Sequence, residues 1–141
     1  MFARRYSQSS PDPADKHRHV EMLNRHYMLL MEDQLDTNRF GRTEAILLKH
    51  KEMGVEQNLI HFFYGEMYRQ RNEEGDTKLA KEAYKRAVQG ERPVADAYLN
   101  LGYMYLKEKN PSQAKQNFTQ YLELKPDADD RAMIEFYLQE L

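Results

Sequence analysis

Cysteine is absent from the sequence, which excludes at once a disulfide framework, a thiolate zinc site and a cysteine nucleophile. Charge of one sign is not in surplus either. The 21 basic and 23 acidic residues leave a formal net charge of −2, without the basic excess that nucleic-acid binding needs, so no nucleic-acid partner is expected. No apolar run reaches the roughly 18 residues of a membrane-crossing helix, so no membrane span is expected, and the N-terminus lacks the apolar stretch of a secretory signal. Glycine and proline are scarce, at six and five, so each reads as punctuation.

What is present is a helical pattern. From about His17 onward no period-two alternation persists, and apolar residues recur at spacings of three and four. Breakers at Gly41, Gly54, Gly75, Gly90 with Pro93, Pro111 and Pro126 divide the chain into helices joined by short turns. Asn110 before Pro111 reads as a helix cap followed by a first helical position, and Asp76 and Asp127 to Asp130 place acid near helix starts. Residues 1–16, by contrast, are poor in apolar side chains and read as a flexible leader or linker. Arg4, Arg5 and Ser7 there fit a kinase site or the fringe of an organelle presequence.

A repeat organises the rest. Tyr98, Leu101, Gly102, Tyr105, Ala114, Phe118 and Pro126 follow the spacing aromatic-x2-Leu-Gly-x2-Tyr, Ala-x3-Phe, Pro. Thirty-seven residues upstream the order recurs as His61, Tyr64, Gly65 and Tyr68, then Ala80, Tyr84 and Ala87. The three residues beyond a 34-residue period fall in the turn RQRNEEGD, where an insertion costs little. A further step back gives Tyr27, Leu30, Met31 and Gln34, then Thr43 and Leu47, with the glycine lost. Glycine weakens a helix by about 1 kcal/mol relative to alanine, so Gly65 and Gly102 are expected where a second helix comes close, with Ala80 and Ala114 facing them.

The spacing resembles that of tetratricopeptide (TPR) repeats. The resemblance implies an all-α, TPR-type α-solenoid of antiparallel helix pairs: a degenerate pair at about 20–55, repeats at 58–92 and 94–127, and a closing helix at 128–141, within a helical domain of 17–141. It also implies a non-enzymatic scaffold that binds a protein or peptide ligand on the concave face formed by the first helix of each pair. The residues on that face are Arg25, Met28, Glu32 and Leu35; Leu59, Phe62, Glu66 and Arg69; and Asp96, Leu99, Tyr103 and Leu106. Met28, Glu32, Leu59, Phe62, Glu66, Arg69, Leu99, Tyr103 and Leu106 form the expected groove, unless neighbouring repeats and the closing helix bury that second apolar stripe. TPR domains that clamp acidic C-terminal tails place Lys and Asn where this chain has Met28 with Glu32 and Phe62 with Glu66, which argues against tail capture.

Catalytic signals are weak beside this. His17, His19 and His26 lie near Glu21, but a spacing of two puts His17 and His19 on different helix faces, whereas paired ligands usually stand four apart. His50 and His61 are expected in helix seams. No His-Glu-x-x-His, glycine-rich phosphate loop or Gly-x-Ser-x-Gly elbow occurs, so no catalytic, cofactor or metal residue is assigned. EGDTKLAKEAYKRAV together with LKPDADDRAMIEFYL also resembles the helical repeat region behind bacterial zinc metallopeptidase domains. That resemblance implies the repeat region of a larger peptidase and a periplasmic setting; without it a cytoplasmic one is expected. Apolar residues nearly encircle DRAMIEFYLQEL, which leaves the last helix as a surface through which copies of the chain could pair.

Overall fold

The computed structural model describes residues 13–141. Among the described residues it has seven α-helices and no strand: α1 (Pro13–Glu32), α2 (Arg39–Glu52), α3 (Gln57–Arg71), α4 (Asp76–Ala87), α5 (Ala95–Lys107), α6 (Pro111–Leu124) and α7 (Arg131–Glu140). The chain divides into two compact units between Thr43 and Glu44, inside α2, and each is described by itself.

In the N-terminal unit, Leu23, Tyr27 and Met31 stand four apart on α1 and are buried. Two expectations are corrected here. α1 begins at Pro13, within the stretch assigned to the leader; a proline at the first helical position is pre-organised for the helix, and Asp15 in the first turn favours the positive end of the dipole. Arg4, Arg5 and Ser7 lie outside the described residues. Gly41, expected as a breaker, lies within α2, and the chain breaks at 33–38 instead. There the Asp33 carboxylate accepts the Leu35 N–H at 3.1 Å and Asp36 accepts that of Asn38 at 2.9 Å, local contacts that compete with helix continuation. Leu35, expected on a helix face, therefore sits in a turn and is 95% exposed.

The C-terminal unit holds the repeat. α3 packs on α4, α5 on α6, α4 on α5 and α6 on α7. Ala80, Ala83, Tyr84 and Ala87 are the buried residues of α4 after its first, and the buried set of α6 is Ala114, Asn117, Phe118 and Tyr121. The two sets match position for position at an offset of 34, with the i, i+3, i+4, i+7 spacing of one helix face.

Gly65 and Gly102 are buried in the seams of the two pairs, but what they face differs from expectation. A Cβ on Gly65 would lie 2.5 Å from the Tyr84 ring, and one on Gly102 would lie 2.5 Å from the Phe118 ring. Each glycine is thus the floor on which an aromatic ring of the second helix lies, rather than the partner of Ala80 or Ala114. Alanine on the second helix cannot fill the space a glycine leaves, and a flat ring can.

The long first turn is also resolved. Against the second pair, the first has one extra residue at the end of α3, one in the turn and one at the start of α4. Asp76, 1% exposed, secures it: its carboxylate takes two bonds from Arg71, at 2.9 and 2.8 Å, and the Glu73 N–H at 2.9 Å. This charge-assisted fork holds the Asp76 carboxyl below the ordinary carboxylate range, against the opposing effect of burial. In the second turn Asn110 caps α6 by accepting the Gln113 N–H, with Pro111 following it as expected.

α7 closes the stack. Ile134 is fully buried, and the Tyr137 ring lies near-parallel to Phe118 with centroids 6.0 Å apart. Asp130 precedes α7 but does not cap it; its carboxylate accepts the Tyr121 hydroxyl at 2.8 Å instead. Met133 and Phe136 remain 46% and 58% exposed.

Candidate binding surface

The residues expected to line a groove fall into three groups. Met28 and Glu32 belong to α1 in the N-terminal unit, the first half-buried and the second exposed. On α3, Leu59, Phe62 and Glu66 are buried while Arg69 reaches solvent. On α5, Leu99, Tyr103 and Leu106 are half-buried and pack against the cluster of Ala114, Phe118, Tyr121 and Ile134.

Glu66 carries the main polar contact between the two repeats. One carboxylate oxygen accepts the Tyr84 hydroxyl at 2.6 Å and the Asn100 side-chain amide at 2.7 Å, and the other pairs with Arg69 at 2.8 Å. The Arg69 Nε also donates to the Tyr84 oxygen at 3.2 Å. Tyr84, on its glycine floor, thus donates its hydroxyl to Glu66 and joins Asn100 and Arg69 in the cluster of donors that offsets the cost of burying a carboxylate. Burial, reinforced by the neighbouring carboxylate, raises the Tyr84 pKa, so the phenol stays a donor throughout the ordinary pH range. Glu66 was expected to line the groove; it is buried, its oxygens are occupied within the fold, and it ties α3 to α5.

The second apolar stripe is partly accounted for by internal packing. Tyr103 meets Phe118 edge-on at 5.3 Å and Tyr137 edge-on at 6.1 Å, so the closing helix takes up much of what α5 offers. Asp96 is paired with Lys125 at 2.8 Å. What stays accessible on this side of α3 and α5 is the outer edge of Arg69, Asn100, Leu99, Tyr103 and Leu106.

Residues 95–128, that is α5, the turn and α6, match the family model for the tetratricopeptide repeat. Over that segment, about a quarter of its length, the chain is similar to tetratricopeptide repeats. The matched segment starts where α5 starts and ends just beyond α6, so the family assignment and the α5/α6 pair describe the same unit. TPR repeats ordinarily serve as protein-interaction scaffolds rather than catalysts, stacking helix pairs so that neighbouring first helices offer a continuous surface. No curated protein matches the chain.

His17 pairs with Glu21 at 3.1 Å, both well exposed, and the described residues hold no group of three or more potential metal ligands. No described helix is long and apolar enough to cross a membrane. The partnership of Glu66 with Asn100 carried no signal in the sequence: the first helices of the two pairs are offset by 37 residues, so the repeat pairs Glu66 with Tyr103 and leaves Asn100 unmarked. Nothing in the sequence marked Tyr121 and Asp130 as partners.

Proposed function

We propose that the chain is a non-enzymatic scaffold that binds a protein or peptide on the side of α3 and α5 where Arg69, Asn100, Leu99, Tyr103 and Leu106 remain accessible. The observation that carries this reading is the Glu66 network, which locks two successive first helices in register and so pre-forms a surface that a ligand need not order. Apolar anchors with a cationic edge suit an extended segment or a helix with an apolar face and an acidic flank. In the N-terminal unit, taken by itself, Met28 and Glu32 are the proposed contacts. The exposed Met133 and Phe136 support self-association through α7 as a separate property.

Arg69→Gln tests the surface, because it removes the accessible charge while leaving an amide that can still donate to Glu66. Captures from the source cell by the parent and the variant are compared after both have been shown to melt alike. Loss of partners from the variant alone supports the reading. Identical captures by equally stable proteins overturn it.

A further inference from the structure

On the opposite side of α3 from Leu59, Phe62, Glu66 and Arg69, at the positions that helical spacing places about half a turn away, His61, Tyr64 and Tyr68 floor a cleft of about 330 Å³. Its walls are Glu44 and Lys51 of α2 and Leu79, Glu82 and Arg86 of α4. A second cleft, of about 470 Å³, occupies the equivalent place one repeat further along. Stepping 37 residues from His61, Tyr64 and Tyr68 reaches Tyr98, Leu101 and Tyr105 on its floor. Stepping 34 from Leu79, Glu82 and Arg86 reaches Gln113, Gln116 and Gln120 on its wall.

The two clefts therefore share a backbone frame and differ in chemistry. Where α6 gives the second neutral amides, α4 gives the first a carboxylate and a guanidinium, so the fold does not demand charge at these positions; a lysine lines both, Lys51 in the first and Lys85 in the second. Lys51 and Arg86 have no ion-pair partner among the described residues. Each stands in the last turn of its helix, where a cation offsets the dipole, but the dipole does not explain why both converge on His61.

We propose that the cleft between α2, α3 and α4 binds an acidic peptide segment, with one carboxylate held by Lys51, Arg86 and His61 and the adjoining backbone N–H groups accepted by Glu44 and Glu82. The mixed lining selects this occupant. A free phosphate offers acceptors only and would leave Glu44 and Glu82 facing its own negative charge; a peptide brings donors and an anion together. Tyr64 and Tyr68, near-parallel at 6.3 Å, give the segment an aromatic shelf. The amides of the neighbouring cleft suit the backbone of a chain running on from it.

Burial and the nearby Lys51 and Arg86 hold the His61 pKa below its ordinary value. A bound carboxylate opposes both cations and draws a proton onto the imidazole. Facing His61 besides these are Tyr64 and Tyr68 on α3, Glu44 on α2 and Glu82 on α4. Binding therefore tightens as the pH falls through the range in which the free histidine titrates.

The test measures fluorescence anisotropy of a labelled hexapeptide of alternating Ala and Glu, with its Ala/Gln counterpart as control, titrated with the full chain. The Glu peptide is expected to bind at least about tenfold more tightly than the Gln peptide, and either Lys51→Ala or Arg86→Ala to remove about that factor. Lys115→Ala, on the exposed face of α6, leaves binding unchanged. Lowering the pH from about 7.5 to about 5.5 strengthens binding to the parent and not to His61→Gln. Equal binding of the two peptides, indifference to Lys51→Ala and Arg86→Ala in variants that melt like the parent, or complete competition by inorganic phosphate at the peptide's own affinity would each overturn the proposal. Arg69→Gln leaves this binding intact, so the surface on the other side of α3 and this cleft stand or fall separately.

Discussion

Replacing Gly102 by alanine sets two effects of opposite sign against each other. Alanine in a helix interior is favoured over glycine by about 1 kcal/mol. Against that, the new methyl would meet Phe118 at 2.5, 2.5 and 3.0 Å, so the ring must withdraw by about 1 Å to reach van der Waals contact near 3.5 Å. It has nowhere to go. Phe118 is fully buried, edge-on to Tyr103 and stacked on Tyr137, so its movement displaces both α5 and α7. Overpacking of this kind costs about 1–3 kcal/mol, and because the buried, doubly packed ring places this site toward the upper end, the net expectation is a loss of up to about 2 kcal/mol. At this chain length that lowers the melting temperature by up to about 8 °C.

The control is Phe118→Leu, a side chain that leaves the floor open. In that background the clash vanishes and only the helix preference remains, so Gly102→Ala should become neutral or stabilising by up to about 1 kcal/mol. Thermal and urea denaturation of the four proteins gives the coupling directly. A loss on Gly102→Ala that is the same in both backgrounds would refute the argument, because it would place the strain somewhere other than the Phe118 ring.

Glu66→Ala should destabilise by about 1–3 kcal/mol by leaving the Tyr84 hydroxyl and the Asn100 amide without their acceptor, measured by urea melts; a double-mutant cycle with Asn100→Ala should show non-additivity. Asp76→Asn should be destabilising at neutral pH and progressively less so in acid. Its folded pKa is depressed, so the stabilisation is present above the unfolded value of about 3.9 and is lost as the pH falls through the lower folded value; a constant difference from neutral pH to about pH 2 would contradict the Arg71 fork. Tyr121→Phe removes the bond to Asp130 and should cost about 0.5–1.5 kcal/mol in a thermal melt.

Much of this fold was legible because a repeat writes the same constraint twice. Gly65 with Tyr84 and Gly102 with Phe118 are one contact in two copies, and the spacing alone marked all four residues. The object each glycine faces was not legible, since spacing says that space is needed and not what fills it. The turn chemistry of the N-terminal unit was misread for a related reason: Asp33 and Asp36 stop the chain by side-chain bonding, a weaker signal than the Gly41 that drew notice. The binding surface was the least legible. Helical periodicity placed Glu66 and Tyr103 on an outward stripe, but it could not register that Asn100 and Tyr84 would converge on the one, or that Tyr137 would cover much of the other.

Two aromatic rings lying on glycine floors hold together the two helices of each pair, and the α-proton shifts of Gly65 and Gly102 in a carbon–proton correlation spectrum of the full chain report on this most directly. An aromatic face pressed on each glycine predicts α-protons displaced strongly upfield, with Gly102 returning toward the ordinary range in Phe118→Leu and Gly65 unaffected by that change. Glycine shifts at their ordinary values in the folded parent would contradict the account.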